Sequence, residues 1–183
     1  MLPNFESDAV LSRLAALAGP NTWLLFSANL APGPDYIAGV QRILPLYDNP
    51  LTREWLLTFL LDLGVERADG ALQFTVEEQP PGSGLRRVAA YFEFSRPRVI
   101  QIETERFPFR PGESIRLFFS YRHTPELARR LLSAHGLEVR EQWVAKSEEE
   151  GVFLAGRKAE TPPRRFPNRR GLAMVDRSVL PNA

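Results

Sequence analysis

The stretch GESIRLFFSYRHTPELARRLLSAHGLEVREQW, residues 112–143, decides how the rest of the chain is interpreted. Between residues 114 and 121 apolar side chains alternate with others, which predicts a strand with one buried side. Thr124 offers an oxygen for a helix N-cap, Pro125 fits the first helical turn, and Gly136 follows the apolar stripe of a helix. The stretch therefore predicts a strand, a helix and the start of a second strand.

Four segments of this stretch follow one another in a distinctive order. They are Gly112-Glu113-Ser114-Ile115, Ser120-Tyr121-Arg122-His123, Gly136-Leu137-Glu138-Val139 and Trp143. The order resembles the C-terminal part of the histidine-specific methyltransferase-like family, typified by the histidine Nα-methyltransferase of ergothioneine synthesis. The resemblance implies an α/β fold, namely the C-terminal part of a class I methyltransferase Rossmann-like sheet with an inserted α+β subdomain. It also implies S-adenosylmethionine as the cofactor of the intact enzyme and a small molecule as its substrate.

On this basis the chain divides into four parts. Residues 1–33 would be the first segment of the methyltransferase α/β domain, and residues 34–121 the inserted α+β substrate subdomain. Residues 122–158 would supply the final helix and β-hairpin of the α/β domain, and residues 159–183 a flexible basic tail. In the first part, the nearly continuous apolar run Thr22–Ser27 predicts a strand that is covered on both faces.

Within the insertion, hydrophobic periodicity predicts two helices followed by antiparallel strands, the order of an α+β unit. The predicted helices span residues 36–44 and 51–63, and the predicted strands span 72–78, 88–95, 99–105 and 114–121. Segments rich in proline and glycine predict turns at 80–84 and 107–112.

In a complete class I methyltransferase, several strands and a glycine-rich cofactor loop precede the first helix predicted here. This sequence contains neither, and Pro3–Ser7 instead echoes the Gly-Asn-Phe-Glu/x-Pro segment of the family. We therefore expect the chain to begin in the middle of the catalytic domain, to bind S-adenosylmethionine weakly and to be inactive alone. A missing N-terminal half or a partner chain would complete the enzyme. The alternative is a non-catalytic binding module that keeps the substrate subdomain but lacks cofactor binding.

The resemblance also implies substrate-binding roles at three positions. Asn4 matches the asparagine that holds the amino group of an amino-acid substrate, and Tyr47 matches a tyrosine that contacts the substrate carboxylate. Ser120 matches a serine beside the substrate imidazole. Each position also has a structural interpretation: a turn residue before a helix for Asn4, a lid over the two helices for Tyr47, and a backbone-bonded strand hydroxyl for Ser120.

One position departs from the family pattern. The histidine enzymes place a glutamate two residues before that serine, where it can hold the imidazole, and this chain has Phe118. The lost acceptor could make a charge-assisted hydrogen bond of about 1.5–3 kcal/mol, so Phe118 argues against histidine as the substrate. Strand alternation predicts that Phe118 and Ser120 face a cleft near Tyr47, while Leu117 and Phe119 belong to the subdomain core.

The composition excludes several other classes of protein. The absence of cysteine excludes a disulfide framework and thiolate ligands, and it is compatible with the cytoplasmic location that we expect. The two histidines, His123 and His135, lack the spacing of a metal site. No run approaches the ~20 apolar residues of a membrane span.

The formal net charge of +1 conceals a basic tail, since residues 157–177 hold seven Arg or Lys against two acidic residues. These arginines could contact nucleic acid, but the remainder of the chain is acidic, which argues against such binding. The sequence has no phosphate loop and no nucleophile elbow. Methyl transfer to an amine needs mainly positioning and exclusion of water, so we assign no catalytic residue.

Overall fold

The structure is a computed structural model that describes residues 4–19 and 21–157. It confirms the predicted α/β class, with helices and strands alternating at both ends of the chain. The elements are α1 (Ser7–Leu17), β1 (Trp23–Asn29), α2 (Tyr36–Tyr47), α3 (Pro50–Asp62), β2 (Gly70–Glu78), β3 (Arg86–Phe94), β4 (Arg98–Ile102), β5 (Glu105–Phe109), β6 (Ser114–Arg122), α4 (Pro125–Ala134), β7 (Leu137–Val144) and β8 (Glu150–Arg157). The tail predicted at 159–183 lies outside the described residues.

The first sheet joins the two ends of the described chain. Its order is β1-β8-β7, with β8 antiparallel to both neighbours. Helices α1 and α4 contribute Leu11 and Leu132 to a core that also contains Phe26 and Phe153, whose rings stack 5.6 Å apart. Because both helices cover the same face, the sheet and its helices form a two-layer unit.

The second sheet lies between β1 and α4, in the part of the chain for which the sequence predicts an inserted subdomain. Its order is β2-β3-β6, all antiparallel, and β4 and β5 form a separate two-stranded hairpin. Leu60 of α3, Phe92, Phe94 and Ile100 are buried in one core cluster. The register of β3 against β6 shifts between Ala90 and the residue that follows it in β3. Leu117 of β6 therefore has no paired residue in β3 and occupies a bulge.

The two sheets meet where the chain leaves β1 and where it returns after β6. Leu30 and His123 form an isolated parallel bridge. The His123 N–H donates to the Asn29 carbonyl (2.9 Å), and the Ala31 N–H donates to the His123 carbonyl (2.9 Å). This bridge places residues 29–31 beside the end of β6, and it positions the candidate site.

Two details of the sequence interpretation are wrong. The predicted strand 99–105 is two strands, because the chain turns at Glu103 (φ 52°), and β5 occupies the first half of the predicted turn at 107–112. Phe109 at the end of β5 stacks on Phe94 at 4.5 Å and so attaches this strand to the second core cluster. Strand β1 is covered on one face only: Leu25 is 67% exposed on the face opposite α1 and α4.

Candidate functional site

One face of β6 presents three side chains to Tyr47, the last residue of α2. Phe118, Ser120 and Arg122 share this face because alternate residues of a strand point the same way. The Phe118 ring lies 5.4 Å from the Tyr47 ring, and the Tyr47 hydroxyl donates to the Ser120 Oγ at 3.2 Å. The Arg122 Nη2 donates to the Tyr47 hydroxyl, and its guanidinium carbon lies 5.3 Å from the Tyr47 ring centroid. We call Asn29, Tyr47, Phe118, Ser120 and Arg122 the β6 cluster.

Asn29 connects the β6 cluster to the first sheet. It is the last residue of β1, and its Nδ2 donates to the Ser120 Oγ at 3.1 Å. Ser120 is buried, whereas Asn29, Tyr47 and Phe118 are half-buried. The cluster thus combines hydroxyl and amide groups with one aromatic wall, a combination that can orient a small polar molecule.

Arg122 is the cation of this cluster, and the residue is 6% exposed. Its Nη1 donates to the Leu30 carbonyl at 3.1 Å and to the Glu149 carbonyl at 3.4 Å. Its Nε has no hydrogen-bond partner among the described residues. Sequence reasoning assigned no role to Arg122 or Asn29, although the i, i+2, i+4 spacing of Phe118, Ser120 and Arg122 could have indicated the arginine.

The opposite face of β6 carries a second polar group. Arg87 of β3 is buried between two carboxylates: its Nε donates to Glu77 at 2.6 Å and its Nη1 to Glu6 at 3.2 Å. The Tyr121 hydroxyl donates to Glu6 at 2.7 Å. Burial, and then the hydrogen bond to the Glu6 carboxylate, raise the pKa of Tyr121 to about 12. Tyr121 therefore remains a neutral hydrogen-bond donor at physiological pH.

A cavity of about 330 Å³ opens on this opposite face. It is lined by Glu6, Ser7, Asp8, Pro80, Ser83, Leu85, Tyr121, Leu127, Arg130 and Leu131. The cavity and the β6 cluster are therefore on different sides of β6, because Tyr121 and Ser120 alternate along the strand.

The structure brings three of the four predicted site residues together. Tyr47, Phe118 and Ser120 contact one another in the β6 cluster. Asn4 is exposed, and among the described residues no hydrogen bond links it to the other three. Glu6, two residues after Asn4, instead reaches Tyr121 on the opposite face. The substrate-binding role of all four residues stays a prediction.

The expectation that Leu117 and Phe119 both belong to the core is wrong for Phe119. Leu117 packs against the second core cluster, as does part of Phe118. Phe119 lies between the guanidinium groups of Arg87 and Arg116, at 4.9 and 4.8 Å from its ring centroid. The physical reason is the bulge at Leu117, which breaks simple alternation along β6.

The described residues form neither a metal site nor a membrane-spanning helix. Residues 4–19 and 21–157 contain no group of three or more His, Cys, Asp or Glu side chains that could hold a metal ion. In the same part of the chain, every helix is too short or too polar to cross a membrane.

Comparison with known proteins supports the resemblance noted above. Residues 79–157, from just before β3 to the end of β8, match the family model described as "Histidine-specific methyltransferase, SAM-dependent". This match confirms the predicted family over that part of the chain. No curated protein matches the sequence.

Three solved structures are similar to this chain, which spans about half of their length. One is an S-adenosylmethionine-dependent methyltransferase from Clostridium acetobutylicum ATCC 824 (10% identity, TM-score 0.34, covering 83% of this chain and 52% of that chain). Another is the CcbJ methyltransferase from Streptomyces caelestis (10% identity, TM-score 0.33, 80% and 51%). The third is the glycopeptide N-methyltransferase MtfA complexed with S-adenosyl-L-methionine (13% identity, TM-score 0.31, 84% and 51%).

The described residues do not by themselves fit S-adenosylmethionine. They contain two turns from a strand into a helix, before α2 and before α4. Asp35 accepts a hydrogen bond from the Ala38 N–H at the start of α2, and Thr124 accepts one from the Leu127 N–H at the start of α4. Each of these capping bonds satisfies one N–H group at the start of its helix. Neither turn combines the open glycine-rich turn and free acid with which Rossmann-like sheets hold a ribose.

Proposed function

Because residues 79–157 match the histidine-specific, S-adenosylmethionine-dependent methyltransferases, we propose that this chain is the C-terminal portion of such an enzyme. In this proposal the chain binds the methyl acceptor, a small amine or amino-acid-like molecule. The family match is the observation that carries the proposal, since it includes Phe118, Ser120 and Arg122 of the β6 cluster.

The β6 cluster suits the binding of such an acceptor. Transfer of a methyl group from a sulfonium to an amine proceeds in line, so the protein mainly has to hold the acceptor in one orientation. The hydroxyl of Tyr47 and the amide of Asn29 both lie within 3.2 Å of the Ser120 Oγ, and Arg122 donates a hydrogen bond to the same Tyr47 hydroxyl. These groups are positioned by two sheets and a helix, which limits their movement.

Phe118 supports an acceptor other than histidine. Its ring lies beside Tyr47 and partly packs against the second core cluster. An aromatic ring offers no carboxylate to an imidazole N–H, which forfeits a charge-assisted bond of about 1.5–3 kcal/mol. A flat or aliphatic acceptor group would instead gain apolar contact with the ring.

The cofactor half of the enzyme would come from outside the described residues, either from a missing N-terminal half or from a partner chain. The uncovered face of the first sheet supports this part of the proposal. Leu25 and Val152 are exposed there, and β1 pairs with β8 on one edge only within the described chain. Apolar faces and open strand edges of this kind are typical of surfaces that another element covers. The expected cytoplasmic location stays part of the proposal.

A second candidate function is a non-catalytic binding module. The two strand-to-helix turns of the described residues, before α2 and α4, favour it, because neither combines an open glycine-rich turn with a free acid for the cofactor ribose. The two candidates differ in whether any polypeptide containing this chain transfers a methyl group.

The test is a radiolabelled methyl-transfer assay with a panel of amino acids and amines. The longest in-frame translation product that contains residues 1–183 is compared with the 183-residue chain alone. We expect transfer by the longer product, little transfer to histidine, and no transfer by the chain alone. A longer product that neither binds S-adenosylmethionine nor methylates anything in the panel would support the binding module and reject the methyltransferase.

A further inference from the structure

The cavity beside Tyr121, which we call the Tyr121 cavity, contains a polar group that the fold leaves unsatisfied. Ser7, the first residue of α1, is 8% exposed and belongs to the lining of this cavity. Its Oγ has no hydrogen-bond partner among the described residues. A buried hydroxyl without a partner destabilises a fold, unless a molecule in the adjoining cavity supplies the missing hydrogen bond.

Two carboxylates at the start of α1 can accept further hydrogen bonds. One oxygen of Glu6 accepts from the Arg87 Nη1 at 3.2 Å, and the other accepts from the Tyr121 hydroxyl at 2.7 Å. A carboxylate has about four acceptor positions, so about two remain on Glu6, whose side chain is 54% exposed. The side chain of Asp8 is 81% exposed, and its Oδ1 lies 3.2 Å from the His135 Nε2.

The charges around the Tyr121 cavity favour a cation over an anion. The lining contains the carboxylates of Glu6 and Asp8 and one cation, Arg130. Behind Glu6, the charge of Arg87 is offset by Glu77 at 2.6 Å. The N-terminus of α1 adds about half a positive charge, so negative charge remains in excess. Arg130 is exposed, and its long side chain can extend into solvent.

The rest of the lining is mostly apolar. Leu85 and Leu127 are buried, and Pro80 and Leu131 complete this surface. The Ser83 hydroxyl donates to the Pro80 carbonyl at 2.6 Å, so it adds no free donor. The volume of about 330 Å³ holds roughly ten non-hydrogen atoms, at the ~30 Å³ that one water molecule occupies in the liquid. A matching molecule is therefore small, with an apolar body and one cationic end.

We propose that the Tyr121 cavity is a second binding site, which takes a small organic cation with a primary ammonium group on an apolar stem. The ammonium, which has three donors, lies at the start of α1, where Glu6, Asp8 and the Ser7 Oγ offer acceptors. The stem packs against the leucines of α4 that line the cavity. The inference goes beyond the proposed function, because β6 separates this cavity from the cluster assigned to the methyl acceptor.

The test uses 2-phenylethylamine as the probe, with 2-phenylethanol and phenylacetate as its neutral and anionic analogues. Each compound is titrated at neutral pH into the full 183-residue chain, and the backbone ¹⁵N–¹H signals are followed. We expect the amine to shift the signals of Ser7 and Leu131 saturably at roughly millimolar concentration. The signals of Asn29 and Tyr47, in the β6 cluster, should stay in place. Both analogues should bind much more weakly than the amine.

Substitutions of exposed charged residues test the sign of the site. Glu6→Gln should weaken binding of the amine about fivefold and Asp8→Asn about twofold, as expected for exposed ion pairs. Arg130→Gln removes the cation of the lining and should tighten amine binding about twofold. Asp62→Asn, which changes an exposed acid on α3 outside the lining, is the matched control and should bind like the unaltered chain. The same spectra show whether each variant is folded.

Tighter binding of phenylacetate than of the amine, with loss of that binding in Arg130→Gln, would identify an anion site and overturn the inference. Absence of saturable shifts at the lining, shifts confined to Asn29 and Tyr47, or unchanged affinity in both Glu6→Gln and Asp8→Asn would also overturn it. If Glu6→Gln does not fold, Asp8→Asn and the comparison of the amine with its analogues still decide the matter. Binding is measured without the cofactor, so failure of methyl transfer by the longer product would reject the proposed function and leave this site standing.

Discussion

Acidification should destabilise the fold through His123. The side chain is fully buried, and both ring nitrogens lack hydrogen-bond partners among the described residues. Burial, with a smaller contribution from the neighbouring Arg122 charge, lowers the pKa of His123 from 6.5 to about 4. The folded protein therefore holds His123 neutral, while the unfolded chain takes up a proton as the pH falls below about 6.5.

The direction in which the free energy of unfolding changes with pH depends on whether the folded or the unfolded state binds more protons. Between pH 6.5 and about 4 the unfolded state binds more, so the free energy of unfolding falls as the pH falls. For a pKa difference of this size, the free energy of unfolding falls by about 3 kcal/mol once His123 is protonated in both states, and by about 2 kcal/mol at pH 5. This contribution is fully present above the unfolded pKa and is lost progressively on acidification.

Urea denaturation of the full chain at pH 8 and at pH 5 measures this loss. In His123→Phe, which keeps an aromatic ring but cannot titrate, the loss between the two pH values should be smaller by about 2 kcal/mol. His135→Gln removes the other histidine, at the end of α4, and should retain the His123 contribution. An identical pH dependence in His123→Phe and in the unaltered chain would refute the reasoning.

Three further results are expected. Calorimetry should detect no micromolar binding of S-adenosylmethionine to the 183-residue chain, because the turns before α2 and α4 lack the glycine-rich loop and free acid that hold the cofactor ribose; micromolar affinity would contradict this. Truncation after Lys158 should leave the melting temperature nearly unchanged, since the tail sequence has no periodic apolar face; a loss of many degrees would show that the tail docks. In a longer, active product, Phe118→Glu should tighten histidine binding about tenfold, by one charge-assisted bond, which titration against Phe118→Gln can check; equal affinities would exclude a role for the charge.

The elements that depend on local sequence were predicted well. Thr124 caps α4 as its position before Pro125 indicated, with its Oγ1 accepting from the Leu127 N–H at 3.1 Å. The family resemblance and strand alternation also placed Phe118 and Ser120 on the side of Tyr47. These features follow from spacing along a short stretch of chain.

What the sequence did not reveal depends on contacts between distant residues. Asn29 and Ser120 are 91 positions apart and meet only because Leu30 pairs with His123. The bulge at Leu117 depends on the register of β6 against β3. The alternation of residues along β6 alone could therefore not show that Phe119 lies outside the core. Strand register and the partners of buried charged groups are set by residues that are far apart in the sequence and meet only in the folded protein.

The Leu30–His123 bridge also has a consequence for how this architecture can diversify. The chain enters and leaves the insertion at two adjacent points, joined by the bond from the Ala31 N–H to the His123 carbonyl at 2.9 Å. Residues between these points can therefore be lengthened, shortened or exchanged without separating the end of β1 from the start of α4. Such an arrangement allows one α/β sheet to carry different contiguous segments between β1 and α4.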